Sequence, residues 1–307
     1  MIAVVNFGSQ FTHLIARRLR SLNVHAEVFP ADSPVRRFSG VSGVVLSGGP
    51  SSVLDPDAPT TNPEVFDLGV PVLGICYGEQ LMTRMLGGKV LKGYSGQYGK
   101  ELVTNLGDSP LWQGLPEEHV VWFSHGDKVE TLPDGFVEIG RTKNHNHAAI
   151  ADESRKLYGL QFHPEVVHSE FGNTVLQNFA LQICKDPADW TIEHAKDIIV
   201  RDLETQIGDG GVLVGVSGGV DPMVAATLLH ELVPDRLHAV FVDHGLLRKD
   251  EAALFEIANK FALRHYNREQ KNDYDKPIWL DWAFHVFLST IRAVVRVRDR
   301  DVSDGAR

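Results

Sequence analysis

Pro71-Val72-Leu73-Gly74-Ile75-Cys76-Tyr77-Gly78-Glu79-Gln80 is an apolar run that stops at a cysteine set between glycines. The stretch from Val70 to Ile75 reads as a buried strand, and Gln80-Leu81-Met82-Thr83-Arg84-Met85-Leu86 reads as the helix after it. Gly74 and Gly78 permit the sharp strand-to-helix turn of a nucleophile elbow. A side chain held there projects from the sheet edge, and the helix N-terminus behind it favours the thiolate. A free cysteine is otherwise a small core hydrophobe, so the elbow alone leaves both readings open.

A second stretch separates them. Lys156-Leu157-Tyr158-Gly159-Leu160 reads as a buried strand that runs out into Gln161-Phe162-His163-Pro164-Glu165-Val166. Residues two apart on an extended chain point the same way, and Pro164 holds the backbone between His163 and Glu165. The spacing predicts that Glu165 orients the imidazole, His163 carries the proton and Cys76 forms an acyl intermediate. A third stretch, Val44-Val45-Leu46-Ser47-Gly48-Gly49-Pro50, is a buried strand ending in glycines. Gly48 and Gly49 allow backbone N–H groups to face a bound carbonyl, with Tyr77 supplying the second N–H. Taken alone, the same residues make an ordinary Gly-Gly-Pro turn.

Around these sites, Ile2–Val5, Thr12–Leu22, Ala26–Phe29, Val41–Leu46 and Val70–Ile75 alternate strand and helix character. Alternation of this kind predicts an α/β fold with a mostly parallel sheet and its site at the carboxyl ends of the strands. Trp122-Phe123-Ser124-His125-Gly126-Asp127-Lys128-Val129 ends another apolar run. Its His125 and Asp127 read as a second acid–base pair or, more simply, as a turn with hydrogen-bonded side chains.

The chain of 307 residues has room for two domains, and 43% hydrophobic residues is ordinary for a globular protein. Thirty basic against 40 acidic residues give a net charge of −10, which excludes a general nucleic-acid binder. Two cysteines far apart predict no disulfide framework, and the opening strand is no signal peptide, so the expectation is a reducing cytoplasm. No membrane span is expected.

The elbow cysteine, the His-x-Glu pair and the glycine loop together resemble the class I glutamine amidotransferases, from about Ile2 to Cys184. The resemblance implies a flavodoxin-like parallel sheet over residues 1–184 and hydrolysis of glutamine through a glutamyl thioester. It also implies that Gln80 helps to hold the substrate. Glu79 departs from many relatives, which carry an uncharged residue there, and puts an added negative charge beside the thiolate.

Lys185-Asp186-Pro187-Ala188-Asp189-Trp190 is a polar joint. Beyond it, Ile192, Ala195, Ile199, Leu203 and Ile207 fall on one helical stripe. The strand Val212-Leu213-Val214-Gly215-Val216 then leads through Ser217-Gly218-Gly219-Val220-Asp221 into a helix. Glycines before a helix N-terminus make a phosphate cradle. This loop, with the strand Leu237–Val242 after it, resembles the pyrophosphate loop of enzymes that cleave ATP between its α- and β-phosphates.

A glutaminase joined to such a domain resembles the glutamine-hydrolysing GMP synthases. The resemblance implies ATP-dependent amination of xanthosine monophosphate (XMP) to GMP. Its implied ATP contacts are Ser217, Gly218, Gly219, Val220, Asp221, Pro222 and Met223, with Mg2+ serving ATP and no bound prosthetic group or protein metal site. Pro222 and Met223 stand where relatives carry Ser and a small polar residue, so ATP handling is expected to be weakened, with Asp221 capping the helix.

The domains expected are a class I amidotransferase over 1–184, a partial Rossmann-like ATP pyrophosphatase domain over 190–263, and an unassigned tail over 264–307. The family's dimerisation domain is not expected in this chain, and the tail is expected to derive from a shifted frame or truncated gene copy. Three functions follow as alternatives: a GMP synthase with an impaired synthetase half, a glutaminase feeding a separate synthetase polypeptide, and a non-catalytic remnant.

Overall fold

The computed structural model describes residues 1–216, 220–241 and 295–297. It divides into two units, Met1–Thr191 and the remainder from Ile192. In the first, strands β1 (Ile2–Asn6), β2 (Ala26–Pro30), β3 (Gly43–Leu46), β4 (Val72–Ile75), β5 (Lys89–Asn105), β6 (Glu118–Thr131), β7 (Val137–Thr142), β8 (Ala149–Asp152) and β9 (Leu157–Leu160) form one sheet. Their order is β2-β1-β3-β4-β9-β8-β7-β5-β6.

The pairs β2/β1, β1/β3, β3/β4 and β4/β9 are parallel. The pairs from β9 outward to β6 are all antiparallel. The sheet is therefore mixed, and the mostly parallel, flavodoxin-like expectation holds only for its five-strand half. The long β5–β6 arm is hidden in the sequence because its strands alternate polar with apolar residues and run beyond the usual strand length.

The inner parallel strands β1, β3, β4 and β9 are buried on both faces, as continuous apolar runs require. In β1, Ile2 and Val4 join Ile15, Ala16 and Leu19 of α1 (Thr12–Ser21) in one cluster. Ala3 and Val5 point the other way, to Phe29, Phe38, Tyr77, Leu81 and Met82. Tyr77, Leu81 and Met82 belong to α2 (Tyr77–Met85), so α1 and α2 cover opposite faces. Each large side chain so buried stabilises by roughly 1.5–3 kcal/mol. Helix α3 (Gly172–Gln177) begins against the His163–Glu165 turn, where a side chain on Gly172 would collide with the Pro164 carbonyl.

The joint at 185–190 is packed rather than loose. Ser42 donates to Asp186 at 2.6 Å, and the Trp190 indole stacks on His25 with centroids 4.0 Å apart.

In the second unit, α4 (Ile192–Ile207), β10 (Gly211–Val216), α5 (Val220–Leu232) and β11 (Leu237–Phe241) follow in order, with β12 (Val295–Val297) antiparallel to β10. The parallel β10/β11 pair and α5 surround Ile207, Val212, Leu229, Val233 and Leu237. The predicted α4 stripe docks at its end only, since Ile199 is exposed. Helix α5 begins at Val220, one residue before Asp221. Pro222 still falls in the first turn, where its missing N–H has no intrahelical partner to lose. Ser217, Gly218 and Gly219 lie outside the described residues, as does the tail over 264–307 apart from β12.

Candidate active site

Cys76 joins β4 to α2 with φ 52° and ψ −106°, a conformation that costs a non-glycine residue of order 1–3 kcal/mol. The turn needs its glycines for clearance. A Cβ on Gly74 would stand 2.6 Å from the Glu79 nitrogen, and one on Gly78 would strike the Leu46 carbonyl. The strain therefore sits on the cysteine itself, and its neighbours give way around it. The Cys76 N–H is tied to Leu160 O at 2.6 Å, and its carbonyl accepts from Gln80 N at 3.1 Å as the helix starts.

His163 follows β9, the strand beside β4, and so arrives next to the elbow. Its Nδ1 lies 2.7 Å from Glu165 Oε1, and Cys76, whose Sγ donates to Ser124 O at 3.6 Å, lines the same cavity as the ring. The chain turns at Pro164 and Glu165, so the pair meets across a turn and not along the extended backbone expected from its spacing. Ser169 donates to His163 O at 2.6 Å, His163 N donates to Trp122 O at 2.9 Å, and Arg18 Nε donates to Glu165 O at 3.1 Å. Contacts to its backbone from α1, from β6 and from the segment before α3 thus fix the turn.

Burial disfavours the charged imidazole, but the Glu165 carboxylate and the contact with Cys76 outweigh it and raise the His163 pKa to about 10. The raised pKa favours the imidazolium at neutral pH, the form of the ring that can later supply a proton.

Gly48 and Gly49 follow β3. A Cβ on Gly48 would come within 3.1 Å of His163 Cε1, and one on Gly49 within 2.7 Å of Phe7 O and 3.3 Å of the Tyr77 ring. Tyr77 opens α2, and a first-position N–H has no intrahelical acceptor. Its side chain turns into the core and donates to Pro59 O, burial pushing the phenol up to about 12.

Cys76, His163 and Gly49 line a cavity of about 530 Å3 whose walls also include Gly8, Ser9, Gln10, Phe11, Gln80, Tyr98, Ser124, His125 and Asp127. Gln80 is buried, and its amide donates to Asp127 O at 2.9 Å and Gln161 Oε1 at 3.0 Å. Both N–H bonds are engaged, so toward a ligand it can offer only its carbonyl oxygen.

His125 and Asp127 lie in β6, beside the register shift between Lys92 and Gln97, and not in the turn read from sequence. The bulged arm carries them into the same cavity. His125 Nδ1 stands 2.6 Å from Asp127 O, so it carries the hydrogen, and burial lowers the pKa of the ring. Ser52 donates to the Asp127 carboxylate. The sequence reading missed Ser52 and the Gly8–Phe11 loop; the latter follows the end of β1, where the strand-end rule points.

Glu79 corrects another expectation. It is 0% exposed, neither carboxyl oxygen has a partner, and burial first, then the nearby Cys76, push its pKa well up. The neutral form of the carboxyl is thus the favoured one beside Cys76.

Residues 3–183 match the protein family described as Glutamine amidotransferase class-I. The chain belongs to this family. Among curated amidotransferase relatives, the GMP synthase [glutamine-hydrolyzing] of Symbiobacterium thermophilum is 48% identical over 255 residues, 82% of this chain and 50% of that protein. The enzyme of the same name from Enterococcus faecalis is 46% identical over 266 residues, 85% of this chain and 51% of that protein. The chain spans about half the length of the curated relatives it matches. A crystal structure of a candidate GMP synthase subunit from Thermoplasma acidophilum aligns with TM-score 0.56 at 34% identity, covering 60% of this chain and 93% of that one. Among the described residues no helix is long and apolar enough to cross a membrane, and no group of His, Cys, Asp and Glu could hold a metal ion.

Proposed function

We propose that this amidotransferase hydrolyses glutamine to glutamate and ammonia, with Cys76 as nucleophile. The observation that carries the reading is that Cys76 and His163 line one cavity, with the His163 ring held by Glu165 at 2.7 Å. Cys76 Sγ attacks the carboxamide carbon, and the oxyanion formed accepts from the backbone N–H groups of Gly49 and Tyr77. His163 gives its proton to the departing nitrogen, so ammonia leaves and a thioester remains. The ring then takes a proton from water, whose oxygen attacks the thioester and releases glutamate and the Cys76 thiolate, which restores the starting pair. Glu165 holds the ring throughout, and Gln80 takes a donor of the substrate on its carbonyl oxygen. Glutamate release from glutamine alone tests this: it should be lost in Cys76→Ala, and hydrolysis surviving that change would overturn the assignment.

The ammonia serves amination of XMP to GMP at the expense of ATP, a reading supported by similarity to the GMP synthases. ATP with Mg2+ would bind at Ser217–Asp221. Pro222 offers no N–H or hydroxyl there and Met223 offers a thioether, so binding of ATP–Mg2+ should be weak by calorimetry. GMP formation from XMP, ATP and ammonium separates this reading from a second one. In that second reading the chain supplies ammonia to a separate synthetase polypeptide, supported by the 93% coverage of the Thermoplasma acidophilum protein.

A further inference from the structure

Glu79 is three residues beyond Cys76 on α2, one helical turn away and on the same side. That side faces β9, the strand that delivers His163. A Cβ on Gly159 of β9 would stand 2.7 Å from Glu79 Cγ and 2.8 Å from Ile150 of β8, so the Glu79 side chain fills the space between helix and sheet. On the other side, Gly74 of β4 lies against the Glu79 backbone. The packed groups of β4, β8 and β9 carry no charge, and Cys76 is the one titratable group among the described residues that acts on the carboxyl. Both oxygens lack a hydrogen-bond partner at 0% exposure. A carboxylic acid tolerates such a place, whereas a carboxylate without a partner must reach water. The route to water requires α2 to move away from β9, and α2 is the helix whose start is the elbow.

We propose that Glu79 is a positioning residue that holds the elbow only as a neutral acid, so that its ionisation in alkali displaces α2, withdraws Cys76 from His163 and stops hydrolysis. The proposal rests on Cys76 being the nucleophile. During turnover the thiolate charge disappears into the thioester and returns on hydrolysis. The like charge that helps to keep Glu79 protonated is thus absent in the acyl intermediate, which makes that intermediate the more alkali-sensitive species.

The test compares the full chain with Glu79→Gln, which keeps the shape and cannot ionise, and with Glu79→Met should the amide fail to fold. Glutaminase kcat is measured from pH 6 to 10.5, and Tm is measured over the same range. At pH 7 the Gln variant should retain kcat within about twofold, while its alkaline limb moves upward by about one pH unit or more. The Tm gap between variant and parent should widen as pH rises. In the Cys76→Ala background the widening should stop at a lower pH. Coincident rate profiles overturn the proposal even if the Tm gap widens, because Glu79 would then act on stability alone; a Tm gap independent of pH overturns it as well. The Tm series needs no activity, so it separates failure of this proposal from failure of the glutaminase reading.

Discussion

His163 Nδ1 lies 2.7 Å from Glu165 Oε1 inside a turn that excludes solvent from both side chains. This pairing is the main favourable influence holding the buried ring protonated, against the penalty of burial. Glu165→Gln should therefore lower the His163 pKa from about 10 and reduce kcat by roughly 10²–10⁴-fold, the usual range for acid–base assistance. The stability consequence has a definite sign. A folded pKa above the unfolded value of about 6.5 gives stabilisation that is fully present below pH 6.5 and is lost as pH rises through about 10. Urea midpoints measured from pH 6 to 10.5 should fall in the parent, and the part of that fall due to the pair should vanish in Glu165→Gln.

The elbow strain predicts a difference between two inactive variants. At φ 52° alanine keeps the steric penalty of a Cβ, whereas glycine adopts this backbone freely. Cys76→Gly should be more stable than Cys76→Ala by about 1 kcal/mol, despite its larger loss of side-chain packing. Equal midpoints in chemical denaturation would show that the conformation carries no strain.

The parallel half of the fold and the placing of Cys76, His163 and Gly48 beyond strand ends were legible because each is written locally. Val72–Ile75 and Leu157–Leu160 are short apolar runs, and Cys76, His163 and Gly48 follow strand ends directly. The β5–β6 arm was not legible, since its pairing depends on a register shift between Lys92 and Gln97 that no local pattern announces. His125 and Asp127 were read as a turn for that reason. Glu79 was misread for another: a carboxylate in sequence is taken as charged, and only its complete burial beneath the elbow reveals that the charged form is disfavoured there.

The glycine loop after β3 makes a prediction about rate. A methyl group on Gly49 would meet Phe7 O and the Tyr77 ring, so the loop must shift and take its N–H with it. Loss of one oxyanion donor costs about 10²–10³-fold in kcat. Gly49→Ala should show that loss with a much smaller change in KM, because the donor acts mainly on the charge developed in the transition state. A KM effect with unchanged kcat in steady-state assays would place Gly49 in substrate binding instead.

Gly159 and Glu79 form a second steric pair, and their coupling is measurable. Gly159→Ala puts a methyl group 2.7 Å from Glu79 Cγ and 2.8 Å from Ile150, an overpacking that should cost about 1–3 kcal/mol. Shortening the acid in Glu79→Ala removes one of the two obstructions and also removes a buried carboxyl that has no partner. The double variant should therefore be more stable than the sum of the single changes predicts, with an interaction of about 0.5–3 kcal/mol. A cycle run at pH 7 by urea denaturation gives that number. Strict additivity would mean that α2 and β9 relax apart, and that Glu79 does not fill the space behind the nucleophile.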